Sequence, residues 1–317
     1  MTHAQSNPTR PYGDEIDLVA LIRVLWDGKF LIGGITFAVA VIAVFVSLSM
    51  PNIYRAAALL APNDQDGSGA LSALGAQYGG LASLAGINLQ STSTDKTAIG
   101  LEILKSRQFI AGFIERHDIL VPLMAAEGWD AGSNKLEINP KLYDEATQTW
   151  VRKANPPRKV IPSMQEAHER FLESLLVTHD KSTGLVVIAV EHYSPGVAKQ
   201  WVDWLVEDIN ASVLQQDVAR AEQAIEYLNE QIAATSLAEL QSVFFTLIEE
   251  QTKTVMLAKV SPEYLLRTLD PAVVPELKAR PKRSIIVLLA AFFGGVLGVL
   301  IQLFRSPDFR PARRDPA

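Results

Sequence analysis

The side chains that could do chemistry are few and stand apart. Asp203 with Glu207, and Glu249 with Glu250, are carboxylate pairs of the kind a glycosidase uses. One acid there protonates the leaving oxygen while the other serves as nucleophile or base. Both pairs fall in stretches of helical periodicity, where paired acids usually form a solvated face. His179 and His192 are expected at the ends of two neighbouring strands, near enough to approach one another, but no third ligand accompanies them. They read as ordinary strand-end histidines. The sequence has no phosphate-binding loop of the form G-x-x-x-x-G-K-[ST], no G-x-S-x-G elbow and no H-E-x-x-H. It has no cysteine, which removes disulfides, thiolate zinc sites, iron–sulfur clusters and cysteine nucleophiles together. No catalytic, cofactor-binding or metal-ligating residue is assigned, and the protein is expected not to be an enzyme.

The elements that would position a site begin with the apolar ones. Mean hydropathy is +0.14, high for a soluble chain, and the apolar residues concentrate at the two ends. Phe30–Met50 and Ser284–Phe304 each run 21 residues without a charge. As helices they would be about 31 Å long, the thickness of a bilayer core. A cleaved signal peptide is the alternative for the first, with Ser47 and Ser49 as small residues. Against it, a long leader carrying Asp14, Glu15, Asp17 and Asp27 precedes a run longer than a signal peptide's apolar region. Arg10, Arg23 and Lys29 precede the first span and only Arg55 follows closely, so the N-terminus is expected in the cytoplasm. The second span is basic on both sides, and long loops cross largely regardless of charge. The expected divisions are a cytoplasmic tail at 1–29, spans at 30–50 and 284–304, a periplasmic domain at 51–283 and a cytoplasmic tail at 305–317. That is an inner-membrane protein with both termini inside. A net charge of −6 gives no reason to expect nucleic acid.

Between the spans the pattern is mixed. Leu18, Leu21, Ile22, Leu25 and Trp26 share a helical face before the first span, fitting either an interfacial helix or an extension of the span. Tyr54–Leu60 predicts a strand. Residues 67–86, rich in Gly, Ser and Ala, read either as a loop or as a contact between protomers through Leu71, Leu74, Tyr78 and Leu81. Thr97–His117 predicts one helix, 118–162 an irregular excursion and Ser163–Leu176 a helix opened by a Ser163/Glu166 capping box. Two strands around a turn at Gly184 follow. From Ser194 a long helix carries Leu214, Val218, Ala221, Ile225, Leu228 and Ile232, a heptad seam that wants a partner helix for assembly. A second capping box at Ser236/Glu239 predicts a break at Thr235 and a following helix with Leu237, Leu240, Val243, Phe244, Leu247 and Ile248. The fold class is α+β: a membrane-proximal α/β base with a long projecting helical hairpin, flanked by two transmembrane helices.

Around the second span, Pro271, Pro275 and Pro281 keep the approach extended. Gly294 and Gly298 form a GxxxG, with Gly295 beside it and Ala290 extending it backward, a stripe that lets another helix come close. That helix is either a separate membrane protein's or the chain's own first span, where Gly34 and Ala38 offer a small pair.

Together these residues resemble the Wzz family of chain-length determinants, the small polysaccharide co-polymerases. The resemblance runs through DEIDLVALIRVLWDGK before the first span, GGLASLAGINL at 79–89, GLEILKSRQFIAGFI at 100–114, the long helix and the Pro/Gly segment. It implies a non-catalytic regulator that sets how many repeats a membrane polymerase adds to a lipid-linked O-antigen or related glycan. It also implies a ring homo-oligomer with helices reaching into the periplasm, whose partners are the O-antigen polymerase, the lipid-linked polysaccharide and the bilayer. The segment between the long helix and the final strand is shorter than in many relatives. Larger co-polymerases carry a cytoplasmic tyrosine kinase, for which the 13 residues after Phe304 leave no room. A two-span periplasmic sensor or scaffold acting through a separate signalling partner is the alternative.

Overall fold

The computed structural model describes residues 25–63, 92–235 and 237–305. The expectations for Leu18, Leu21 and Ile22, for residues 67–86 and 79–89, for Ser236 and for the tail after Arg305 lie outside them. Two compact units form: one from the chain up to Met50 and from Pro281 onward, the other from Pro51–Arg280.

The first unit is a pair of apolar helices, α1 (Lys29–Ser49) and α8 (Arg283–Arg305), each long and apolar enough to cross a membrane. The second unit holds the remaining elements in the order β1 (Ile53–Pro62), α2 (Thr92–Lys105), α3 (Arg107–Arg116), α4 (Leu120–Met124), β2 (Ala126–Asp130), β3 (Lys135–Ile138), β4 (Tyr143–Asp144), β5 (Thr149–Trp150), α5 (Met164–Ser174), β6 (Leu175–His179), β7 (Val186–His192), α6 (Pro195–Ala234), α7 (Ala238–Val260), β8 (Leu266–Asp270) and β9 (Lys278–Arg280). The fold class is α+β.

The sheet runs β6-β7-β1-β8 with every pairing antiparallel, and β9 joins the same edge of β1 as β8. β1 shows why one face is covered. Ala56, Ala58 and Leu60 are buried and alternate with half-buried or exposed neighbours, the period-two signature of a strand with one core face. Val186, Ile188 and Val190 of β7 join them, and the helices close the core with Leu104, Ile110, Phe113, Phe171, Trp201, Leu205 and Ile209. Ser163 caps α5 by accepting from the Glu166 N–H, and Ser194 caps α6 with Pro195 in its first turn. Gly184 sits at φ +72, a left-handed turn position that suits glycine.

Three expectations change. The helix predicted over Thr97–His117 is two helices. Ser106 adopts an extended backbone, and its hydroxyl accepts from the Phe109 N–H to start α3. Leu175 and Leu176 belong to β6 rather than to the helix before them. The stretch 118–162 is not irregular throughout. It contains α4 and two small hairpins, whose turns are held by Asp130 accepting from the Gly132 N–H (3.0 Å) and Asp144 from the Ala146 N–H (3.0 Å). The Arg152 guanidinium fastens the excursion to α5, donating to Glu166 (2.6 Å) and to the carbonyls of Lys159 and Val160. That bond holds the Glu166 carboxyl below its usual range.

Candidate functional site

The paired helices of the first unit place the small-residue stripe. α1 and α8 run antiparallel: Arg283 donates to the Met50 carbonyl at one end, and Gln302 packs on Gly28 at the other. Between these ends the two glycines of the GxxxG are buried. A Cβ on Gly298 would lie 3.0 Å from the Ile32 Cα and 3.3 Å from its carbonyl oxygen. One on Gly294 would lie 3.0 Å from the Val39 Cβ and 3.3 Å from the Thr36 Cα. Gly295 is looser, 3.6 Å from the Thr36 hydroxyl, and Ala290 is half-buried. The stripe therefore meets the chain's own first helix, but not through the pair expected. Gly34 and Ala38 are exposed, and nothing stands within 4 Å of where a Gly34 Cβ would be. Ile32, Thr36 and Val39 face the glycines instead. The Thr36 hydroxyl spends its hydrogen on the Ile32 carbonyl (2.8 Å), which leaves an apolar surface toward α8.

In the second unit, α6 is one helix of 40 residues, and its first half is built into the base. Ala198, Trp201, Val202, Leu205, Ile209 and Val213 are buried there. The second half pairs with α7 across the break at Thr235, whose carbonyl accepts from Gln241 (3.0 Å). Ala221 of the seam is buried, while Leu214, Val218, Ile225, Leu228 and Ile232 are half-buried. α7 answers with Gln241, Phe244, Ile248, Gln251, Val255 and Ala258, spaced three and four apart and at least partly buried. The seam's partner helix is thus in the same chain. What α7 leaves uncovered is a second apolar row, Leu240, Val243 and Leu247.

Polar residues that the sequence did not single out tie hairpin to base. Asn210 is buried and uses its whole amide. Its oxygen accepts from the N–H groups of Leu265 (2.7 Å) and Leu266 (2.9 Å), and its nitrogen donates to the carbonyls of Leu266 and Val206 (3.0 Å each). Tyr264 donates to Asp217 (3.0 Å), which also takes Lys96 (3.0 Å), so α2, α6 and the segment after α7 share one anchor. Asp208 accepts from Arg116 and His117, with the His117 ring stacked on Trp204 at 4.2 Å. Glu191 takes Arg55 (2.6 Å) and Arg280 (3.2 Å), a clamp across β7, β1 and β9.

The carboxylates and histidines considered first do not converge. Asp203 pairs with Lys199 one turn away, and Glu249 and Glu250 are exposed on α7. His179 pairs in register with Val186, at the far end of the β6–β7 ladder from His192, so the expected approach of the two does not occur. An antiparallel hairpin puts the first residue of one strand opposite the last of the other. His192 is buried, and burial pushes it down to about 4. Its Nδ1 accepts from the Ser194 N–H (3.2 Å), which leaves Nε2 to donate to the Pro122 carbonyl (3.2 Å), the pattern of a neutral ring. Among the described residues no group of three His, Cys, Asp or Glu could hold a metal ion. Pro271 and Pro281 directly follow β8 and β9, with Pro275 between them in a stretch without regular secondary structure that bends at Glu276 and Leu277.

In chain order, a mixed sheet-and-helix unit carrying a long helical hairpin stands between two helices long and apolar enough to cross a membrane. Residues 14–117, covering α1, β1, α2 and α3, match the Wzz family model, described as "Chain length determinant protein". Residues 238–307, covering α7 through α8, match GNVR, the "G-rich domain on putative tyrosine kinase". Among solved structures the chain is similar to a full-length bacterial polysaccharide co-polymerase (14% identity over 95% of this chain and all of that one, TM-score 0.37). It is also similar to a fragment of WzzB, the polysaccharide co-polymerase from Salmonella Typhimurium (11% identity over 72% of this chain and all of that one, TM-score 0.25). No curated protein sequence matches the chain.

Proposed function

We propose that the protein is a polysaccharide co-polymerase that sets the length of lipopolysaccharide O-antigen, or a related lipid-linked glycan, made by a separate membrane polymerase. The Wzz match across α1, β1, α2 and α3 carries this reading. The antiparallel pairing of α1 and α8 supports two spans in the inner membrane, with both tails in the cytoplasm and residues 51–283 in the periplasm. The protein works as a ring homo-oligomer in contact with the polymerase and the growing glycan, using no cofactor. Because α7 occupies the seam of α6, the apolar row Leu240, Val243 and Leu247 faces the neighbouring copy. A second reading, control of a capsule or exopolysaccharide, is favoured by the GNVR match over 238–307.

Deletion of the gene and complementation should change the modal length of one surface glycan while leaving its repeat unit intact. Lipopolysaccharide gels and capsule sizing together tell which. Unchanged profiles of both polymers on deletion would overturn the proposal. Alkaline phosphatase should be active when fused after Ala61 and inactive after Pro316; the reverse would overturn the topology.

A further inference from the structure

Glu191 is matched by more positive charge than one carboxylate needs. Its side chain is 5% exposed, and one oxygen already takes Arg55 twice, from Nε (2.9 Å) and Nη2 (2.6 Å). Arg55 stands directly opposite it across β1 and β7. A second guanidinium, that of Arg280 at the end of β9, rests by its Nε against the other oxygen at 3.2 Å. Among the described residues the Arg280 side chain makes no hydrogen bond, and it is 58% exposed. Its two Nη groups form the edge of a guanidinium that matches the paired oxygens of a carboxylate or a phosphate.

Arg280 lines a pocket of about 180 Å³ within the sheet-and-helix unit, where α4, α5 and the ends of β7 and β9 meet. That is room for about six water molecules. Arg170 of α5 lines it too. It spends one N–H on Glu173, one turn away at 2.7 Å, an exposed pair of small net worth that leaves its other donors unspent. Tyr193, half-buried on the same pocket, makes no hydrogen bond with its hydroxyl among the described residues. The charges here do not cancel. Arg55, Arg170 and Arg280 stand against Glu173 and Glu191, while burial pushes His192 down to about 4 and keeps it neutral. One positive charge is left over, in a recess where salt screens it less than on open surface.

We propose that this pocket binds a single oxyanion, a phosphoryl or carboxylate group carried on a larger molecule. Two of its oxygens take the Nη edge of Arg280, and Arg170 and Tyr193 donate to the remaining lone pairs. Glu191 is too deeply buried to touch the ligand and only holds the Nε side of Arg280. The carrier rests on the co-polymerase reading given above. A lipid-linked glycan offers such a group in two places, the phosphate of its lipid linkage and the carboxylate of an acidic sugar.

The test uses the full chain in mild detergent, titrated by calorimetry with inorganic phosphate, glucuronate and glucose at one fixed ionic strength. At least one of the two anions should bind saturably, and glucose should not. The tighter anion names the source, phosphate for the lipid linkage and glucuronate for an acidic sugar. Arg280→Gln should weaken that anion about ten-fold or more, the scale of hydrogen bonds to a charged group. Arg280→Lys keeps the charge but not the fork, so it should recover only part of the loss. Arg220→Gln makes the same change of charge on α6 outside the pocket and should leave binding unaltered. No saturable binding of either anion by the unaltered protein would overturn the proposal whether or not the variants fold. So would an equal loss in Arg220→Gln and Arg280→Gln, the mark of diffuse attraction, or glucose binding as tightly as glucuronate, the mark of a neutral sugar site. The measurement is separable from the co-polymerase reading: glycan lengths unchanged on gene deletion would sink that reading and leave the oxyanion site standing.

Discussion

Replacing Gly298 by leucine should part the two helices of the membrane unit. The first atom added already meets backbone: a Cβ would stand 3.0 Å from the Ile32 Cα and 3.3 Å from its oxygen, where carbon atoms prefer about 3.5–4.0 Å. Backbone cannot turn aside as a side chain can, so α1 and α8 must separate by roughly 0.5–1 Å. A gap of that size forfeits about a quarter to a half of each dispersion contact along the seam. Three further side-chain atoms have no space, and overpacking of this kind costs about 1–3 kcal/mol. Gly294→Leu should behave alike. The double variant should cost less than the sum, because one separation relieves both sites. Gly33→Leu is the control, since nothing lies within 4 Å of its Cβ position and leucine is the better helix former. The chain lacks cysteine, so a pair introduced by Gly28→Cys and Gln302→Cys reports helix proximity by its rate of disulfide formation in native membranes. Melting in detergent gives the energy. If Gly298→Leu cross-links and melts like Gly33→Leu, the close packing inferred here is wrong.

Two other outcomes follow from single side chains in the base. His192 titrates near 6.5 when unfolded and near 4 when folded, so the unfolded state binds more protons between those values. Stability should be level above pH 6.5 and fall by about 2 kcal/mol at pH 5 and about 3 kcal/mol by pH 4, measured by urea unfolding in detergent; His192→Asn should flatten that window. Asn210→Leu removes four hydrogen bonds and strands the N–H groups of Leu265 and Leu266, so the base should lose about 3 kcal/mol or more, read as a lowered melting temperature. An unchanged melt would mean that those groups find other partners.

Much of this architecture is legible in residue order because it rests on periodicity. The two apolar runs, the alternation in β1 and the turn at Gly184 all follow from spacing and turn chemistry, whereas the helix after Thr235 is capped by Leu237 with no side-chain bond rather than by a serine. The break at Ser106 is hidden because apolar residues continue on both sides of it; only the serine three positions before Phe109 signals a new start. The hairpins of 126–150 are hidden for the opposite reason. They are two to five residues long per strand and held by aspartate side chains rather than by an apolar pattern. The glycine stripe shows itself, but the residues it meets do not, because the rotation of α1 about its axis is set by packing. That rotation points Gly34 and Ala38 outward. Asn210 is the clearest omission: a lone amide in a helix has no spacing to betray that it holds another strand.

The continuity of α6 has a mechanical consequence. No proline or glycine interrupts it from Val197 to Ala234, so it has no built-in hinge. Residues up to Val213 are gripped by the base, and the 21 that follow extend for about 31 Å. The helix is then a lever with a clamped end: a tilt of about 5° where Trp201 and Leu205 are seated swings Ala234 by roughly 3 Å. A side chain changed deep in the core can therefore alter the spacing of distant tips without any residue near the tip being touched. Variants that shift function are to be sought around the fulcrum as much as along the arm.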